Sequence, residues 1–313
     1  MNVMITGAAG NLGSLLASHM VDYSDLPLVL MRHKRDVKDV FKGHPKIVIR
    51  DADLNDKASL VRSLSGVDVI VHFAGVLFRS NPEKFLHQTN TQYFRNLVDA
   101  ANDCGVEKII LISFPHVEGP TSFASPATGI LDGKPISVHA TTRLEEEKYL
   151  MGNCPQSVIL RVGMVYGRGI LMVDAARWFA TRGLLGIWKE HTEIHLISKI
   201  DFCNATQAAI ENRDARGIYH IGDDGQITLQ EFLNGACEQW QVKKPRVMPL
   251  WMIYLAASFF EMRSRIFKTV SPLTKDFIDI GRVSYYGDTS RMKQELLGEL
   301  TYPTFNDGIE TLY

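Results

Sequence analysis

The chain has 313 residues, 45% hydrophobic and 22% charged, which is enough for one large α/β domain or two smaller units sharing a core. With 34 Lys and Arg against 35 Asp and Glu the formal net charge is -1, so no global field attracts DNA, RNA or an anionic membrane, and nucleic acid is not an expected partner. Cys104, Cys154, Cys203 and Cys237 are widely spaced and make no CxxC pair, a pattern that fits reduced cytosolic thiols and predicts neither a disulfide framework nor a metal site.

In chain order, the first apolar run, residues 3–6, enters a glycine turn at once and leaves no room for a signal peptide, so a cytoplasmic location is expected. Further β-branched runs at 28–31, 47–50, 67–73, 108–113 and 157–162 alternate with helix-length segments at 12–21, 57–65, 92–104 and 141–151. Near-continuous apolar strands joined by crossover helices describe a parallel sheet buried on both faces. The predicted fold class is therefore α/β, a doubly wound parallel Rossmann sheet. Beyond Tyr166 the alternation loosens, with helices predicted at 171–181, 205–212, 229–239 and 249–263 and a late strand at 217–221. This half reads as a smaller, mainly α substrate-binding lobe. The expected division is 1–165 and 166–313, closely packed because no Pro/Gly-rich linker separates them, with the late strand able to return to the sheet. Residues 247–260 (VMPLWMIYLAASFF) are almost wholly apolar and are followed by Arg263, Arg265 and Lys268. At under the roughly 20 residues a spanning helix needs, the stretch reads as a buried helix, with a substrate wall or a membrane-contacting surface as the alternatives.

Thr6 to Gly13 reads TGAAGNLG, between a strand and a helix. In such a turn Gly7 permits the reversal, Gly10 lets the backbone approach a pyrophosphate and Gly13 lets the helix pack closely on the strand. The amides around Asn11 and Leu12 face the phosphates. At the end of the second strand, where an acid would hold the ribose hydroxyls of NAD, the run is Met31-Arg32-His33-Lys34-Arg35. Guanidinium groups at Arg32 and Arg35 suit a 2′-phosphate, which favours NADP(H) over NAD(H).

With these motifs in place the chain resembles the extended short-chain dehydrogenase/reductase family, in its epimerase/dehydratase and 3β-hydroxysteroid dehydrogenase-like branch. The resemblance also rests on Asp53-Leu54, similar to the pair that meets adenine, on His72-Phe73-Ala74-Gly75 beside the cofactor, and on Asn90 opening a helix. Arg161 to Gly167 is similar to the stretch bordering nicotinamide and substrate, and Pro272 to Asp276 with 288–298 resembles the C-terminal lobe of the steroid and flavonol branch. The family's Tyr-x-x-x-Lys pair is replaced by His139-x-x-x-Arg143. The companion hydroxyl position holds Phe114, with Ser113 one residue earlier. The resemblance implies that Arg143 keeps a positive charge beside the nicotinamide ribose, where it cannot shuttle a proton. His139 is the candidate proton donor or base, and Ser113 the candidate for holding a substrate oxygen. His72, His116 and Tyr166 are lesser candidates, each readable as a packed structural group.

Two functions stay open on this reading. The first is an NADP(H)-dependent oxidoreductase acting on a carbonyl or secondary alcohol of a small molecule with an altered catalytic set. The second is a non-catalytic NADP(H) sensor or structural partner. A nucleotide-sugar epimerase or dehydratase is a smaller alternative, opposed by the altered proton-transfer residues. A homodimer through the crossover helices is what the resemblance implies for assembly.

Overall fold

A computed structural model describes residues 1–75, 81–267, 271 and 273–313; Lys268 and Pro272 lie outside the described residues. The first half runs β1 (Val3–Thr6), α1 (Asn11–Tyr23), β2 (Leu28–Arg32), β3 (Ile47–Asp51), α2 (Lys57–Ser63), β4 (Val69–His72), α3 (Tyr93–Asp103), β5 (Lys108–Ser113), α4 (Val138–Asn153) and β6 (Val158–Val162). The second half runs β7 (Met164–Tyr166), α5 (Leu171–Thr181), β8 (Gly186–Ile187), β9 (Glu193–Ile194), β10 (Leu196–Ser198), α6 (Lys199–Glu211), β11 (Gly217–Ile221) and β12 (Ile227–Thr228). It ends with α7 (Leu229–Gln239), β13 (Arg246–Val247), α8 (Leu250–Phe267), α9 (Lys275–Gly281), α10 (Ser290–Glu295) and α11 (Phe305–Gly308).

Seven parallel strands form one sheet in the order β11-β6-β5-β4-β1-β2-β3. The strands in the middle are buried along their length because helices cover both faces, which is why their sequences read as continuous apolar runs. Alternation along each strand divides its side chains between two cores. Val3, Ile5, Leu160 and Val162 join Leu16, Met20 and Phe202 on one face; Met4, Ile70 and Ile159 join Leu60, Leu97 and Leu150 on the other. The late strand β11 forms an edge beside β6. Its outer carbonyls at Arg216 and Ile218 are taken up by Arg291, whose guanidinium also lies 4.2 Å from the Tyr219 ring centroid.

The predicted helices at 171–181 and 229–239 and the strand at 217–221 fall on α5, α7 and β11. Helix α4 starts before its expected position because Ser137 caps it, accepting from the Ala140 amide at 3.2 Å. The expected burial of residues 247–260, within and just before the helix predicted at 249–263, is corrected. Only Ile253, Ala257 and Glu261 of α8 are buried, while Trp251, Leu255, Phe259, Met262 and Ile266 face outward. The helix is apolar on two faces and the protein packs one of them. Among the described residues no helix is long and apolar enough to cross a membrane.

Candidate functional site

The glycine turn is built as the sequence requires. Gly7 has φ +68°, and a Cβ there would stand 2.9 Å from the Ala74 amide nitrogen on the loop after β4. A Cβ at Gly13 would stand 2.5 Å from the Gly7 carbonyl oxygen, so only hydrogen lets α1 approach β1 this closely. Helix α1 opens at Gly10 with no side-chain cap, so its first-turn amides have no intrahelical acceptor and point outward as an anion cradle. The Asn11 side chain is committed elsewhere: its Nδ2 donates to the Gly169 carbonyl (2.6 Å) and its Oδ1 accepts from the Leu171 amide (2.9 Å). Of Asn11, then, the backbone amide is what remains for phosphate. Leu12 packs against the core below the turn.

At the adenosine end, Arg32 closes β2 and donates to Asp51 through Nε (2.6 Å) and Nη2 (2.8 Å), with Nη1 3.4 Å from Asp36. Arg35 is exposed beside it. Asp53 receives the Asn55 amide at 2.9 Å and lies 3.4 Å from His33 Nε2, and Asn96 ties the Leu54 carbonyl to α3 at 2.9 Å.

Gly75, with Phe73 and Ala74 on the loop after β4, lies near Asn90 and Arg143, the residues expected at the nicotinamide. Asn90 lies in a π-helical turn, His87–Gln92, that runs straight into α3, so it precedes the helix it was expected to open. Such turns widen a helix locally and recur at functional sites. A Cβ on Gly75 would stand 3.2 Å from Arg143 Nη2 and 4.0 Å from Asn90 Oδ1, which places the guanidinium against the cofactor-side loop. Arg143 Nη1 donates to Glu146 at 2.5 Å, while its buried Nε has no acceptor among the described residues. Glu146 is fully buried, and burial pushes its carboxyl up to about 7 against the opposing pull of Arg143. An uncapped helix start, a glycine cradle that any Cβ would fill and an orphaned guanidinium N–H fit a dinucleotide.

One turn before Arg143, His139 is buried and its Nε2 lies 2.9 Å from Asp276 Oδ2 on α9. Asp276 also lines a cavity of about 180 Å³ with His116, Ser137, Asp279 and Val283. The sequence reading missed this partner, since Asp276 entered only through the C-terminal resemblance and nothing local links positions so far apart.

Ser113, expected to hold a substrate oxygen, instead donates its only proton to Glu147 at 2.5 Å. Glu147 accepts from Arg161 Nη2 at 2.6 Å, and Arg161 also pairs with Glu118 and donates to the Ile130 carbonyl at 2.7 Å. His220 Nε2 lies 3.1 Å from Glu118. Ser113 and Arg161 therefore belong to a buried polar network joining β5, β6, α4 and β11. His72 bonds Thr6 Oγ1 at 2.8 Å, and burial lowers its ring to about 3, so it is neutral and structural. Tyr166 is buried on the edge of the Phe305 ring, its hydroxyl donates to the Thr304 carbonyl at 3.4 Å, and burial raises its pKa far above the phenol range. His116 packs tilted against Tyr285 with ring centroids 4.3 Å apart, and burial lowers it to about 4.

Sheet order, glycine cradle and guanidinium together define a dinucleotide-binding α/β protein with its cofactor cleft at the carboxyl ends of the strands. A family model described as NAD(P)H-binding matches residues 7–165. The chain belongs to that family, in the extended short-chain dehydrogenase/reductase branch of NAD(P)-dependent oxidoreductases. Among its relatives is a mouse (Mus musculus) protein named sterol-4-alpha-carboxylate 3-dehydrogenase, decarboxylating, 22% identical over 98% of this chain and 88% of the relative. An Arabidopsis thaliana protein named 3beta-hydroxysteroid-dehydrogenase/decarboxylase isoform 2 is 22% identical over 94% of this chain and 58% of its own length. The solved UDP-glucuronic acid 4-epimerase from Bacillus cereus, in complex with UDP-glucuronic acid and NAD, superposes with a TM-score of 0.77 at 19% identity, covering 99% of this chain and 97% of that one. That last likeness concerns the fold.

Proposed function

We propose that the protein is an NADP(H)-dependent oxidoreductase that interconverts a carbonyl and a secondary alcohol, with His139 exchanging the proton. The observation that carries this is the contact between buried His139 and Asp276 one helical turn from Arg143, which itself lies against Gly75. The nicotinamide, when bound, supplies the hydride to the carbonyl carbon or accepts it from the alcohol. Asp276 accepts a hydrogen bond from His139 Nε2–H and fixes the ring; as the imidazolium, stabilised by the carboxylate, His139 gives its Nδ1 proton to the carbonyl oxygen in reduction and becomes neutral, and the neutral ring takes that proton back from the alcohol in oxidation. Arg143 holds positive charge at the ribose, and the first-turn amides of α1 bind the pyrophosphate. Asp53, Leu54, Phe73, Ala74 and Asn90 line the remaining length. For the 2′-phosphate the reading relies on exposed Arg35, since Arg32 is engaged by both Asp51 and Asp36.

A second reading, cofactor binding without turnover, is favoured by one observation: the Ser113 proton goes to Glu147, so β5 offers no free hydroxyl at its end. The deciding experiment is NADPH oxidation across aldehydes, ketones and steroid-like carbonyls, the last chosen from the names of the sterol relatives, with binding of NADPH and NADH measured on the same protein. The expected result is turnover that falls about 100-fold in His139→Ala and less in Asp276→Asn, with NADPH affinity kept in both. Full turnover in His139→Ala removes the proton-transfer role. Tight binding without turnover on any carbonyl moves the assignment to the second reading.

A further inference from the structure

We propose that α8, with the strand before it and the end of α5, is a docking face for an anionic lipid surface. Trp251, Leu255, Phe259, Met262 and Ile266 follow one another at intervals of four, four, three and four residues, which puts them on one face of the helix. Their exposures are 66%, 63%, 57%, 55% and 67%, whereas Ile253, Ala257 and Glu261 on the other side are buried. The outward face is therefore the more apolar one, the reverse of an ordinary surface helix. The patch extends beyond α8. Phe260 meets Phe179 with centroids 5.9 Å apart, Phe179 meets Trp178 at 5.0 Å, and Trp178, Leu184 and Val247 are all exposed. Monomeric soluble proteins seldom leave so many large apolar side chains contiguous.

Charge selects the occupant. Residues 178–184 and 243–267 carry six cations, Arg182, Lys243, Lys244, Arg246, Arg263 and Arg265, against a single acid, Glu261, and Lys244 pairs with Glu238 just before them at 2.6 Å, which leaves a surplus of positive charge on this face. Glu261 is buried and accepts the Lys275 amide at 3.0 Å. The Arg182 guanidinium lies 4.1 Å from the Trp178 ring centroid and donates to the Trp178 carbonyl at 3.1 Å, and that of Arg263 lies 5.5 Å from the Phe267 centroid, so cationic heads sit directly on the exposed aromatic rings. An apolar stripe rimmed by Arg and Lys is the composition of a helix that lies in the headgroup region of a bilayer. Its 18 residues extend about 27 Å, so it rests along the surface. A second copy of this chain is the less suitable occupant, because two-fold docking of this face brings its six cations against the same six. The chain as a whole is near neutrality, so the attraction comes from this patch alone.

The test uses the full chain and two vesicle types, phosphatidylcholine alone and phosphatidylcholine mixed with phosphatidylglycerol, separated by flotation. Protein should float with the phosphatidylglycerol vesicles, remain below with phosphatidylcholine alone and be released as salt is raised. Leu255→Glu/Phe259→Glu should cut partitioning about tenfold or more, with an unchanged circular dichroism spectrum as the check on folding. Arg182→Glu/Arg246→Glu, which leaves the apolar stripe intact, should do the same and keeps the test decisive if the first variant fails to fold. Absence of flotation with phosphatidylglycerol, equal flotation with both vesicles, or wild-type flotation of the folded variants would each overturn the proposal. So would a concentration-dependent dimer that Leu255→Glu/Phe259→Glu dissolves in a protein that binds no vesicle.

Discussion

Replacing Arg161 by Ala removes the centre of the polar network under the sheet. Arg161 is fully buried, as is Glu147, and Glu118 is nearly so. The variant leaves two carboxylates in a low-dielectric interior without the cation that neutralised them, and such one-sided removal of a buried pair costs about 3–5 kcal/mol. Unfolding entropy near 2.1 cal/mol/K per residue gives about 0.66 kcal/mol/K for a chain of 313 residues. The cost therefore corresponds to a fall in thermal midpoint of about 5–8 °C. Scanning calorimetry at neutral pH measures it. Arg161→Ala within about 1 °C of wild type would refute the view that Arg161 neutralises two dry carboxylates. The same assay separates the two roles of Ser113. As a donor to Glu147 its loss costs about 1–2 kcal/mol, or about 2–3 °C. As a catalytic hydroxyl its loss would lower turnover and leave the midpoint unchanged.

Gly13→Ala sets a methyl group 2.5 Å from the Gly7 carbonyl and must push α1 from β1; NADPH affinity measured by calorimetry should fall about tenfold or more while the fold persists. His72 and His116 are held neutral by burial, with ring values of about 3 and about 4 against an ordinary 6.5. Because these values are depressed, the stability they confer is intact above pH 6.5 and is lost as pH falls, when the unfolded rings take up protons and the folded ones do not. At pH 5 the loss is about 2 kcal/mol for each, so urea midpoints should drop between pH 7.5 and pH 5, and a flat profile would contradict their neutral state.

The sheet was legible because each strand carries its own evidence. Residues 108–113 and 217–221 were placed to the residue from apolar β-branched runs bounded by polar turns. The cofactor cradle was legible for the same reason, since its glycines, strand and helix are adjacent in the chain. What escaped was pairwise and distant. Ser113 reads as an exposed strand-end hydroxyl until Glu147, on another element, is seen to accept its proton. His139 reads as an isolated imidazole until α9 brings Asp276 to it. The burial of 247–260 was misjudged because hydropathy records how apolar a helix is and not how many of its faces find a neighbour.

The position of β11 has a consequence for the order in which the protein can be made. Strand β6 leaves the ribosome well before Gly217, so while the intervening residues are synthesised its outer backbone groups stand open, for a few seconds at about 5–20 residues per second. During that interval β6 is an apolar edge able to pair with another nascent chain. The seventh strand closes it, and Arg291, later still, covers the edge that β11 itself presents. A pause in synthesis before Gly217 emerges thus prolongs the exposure of the β6 edge.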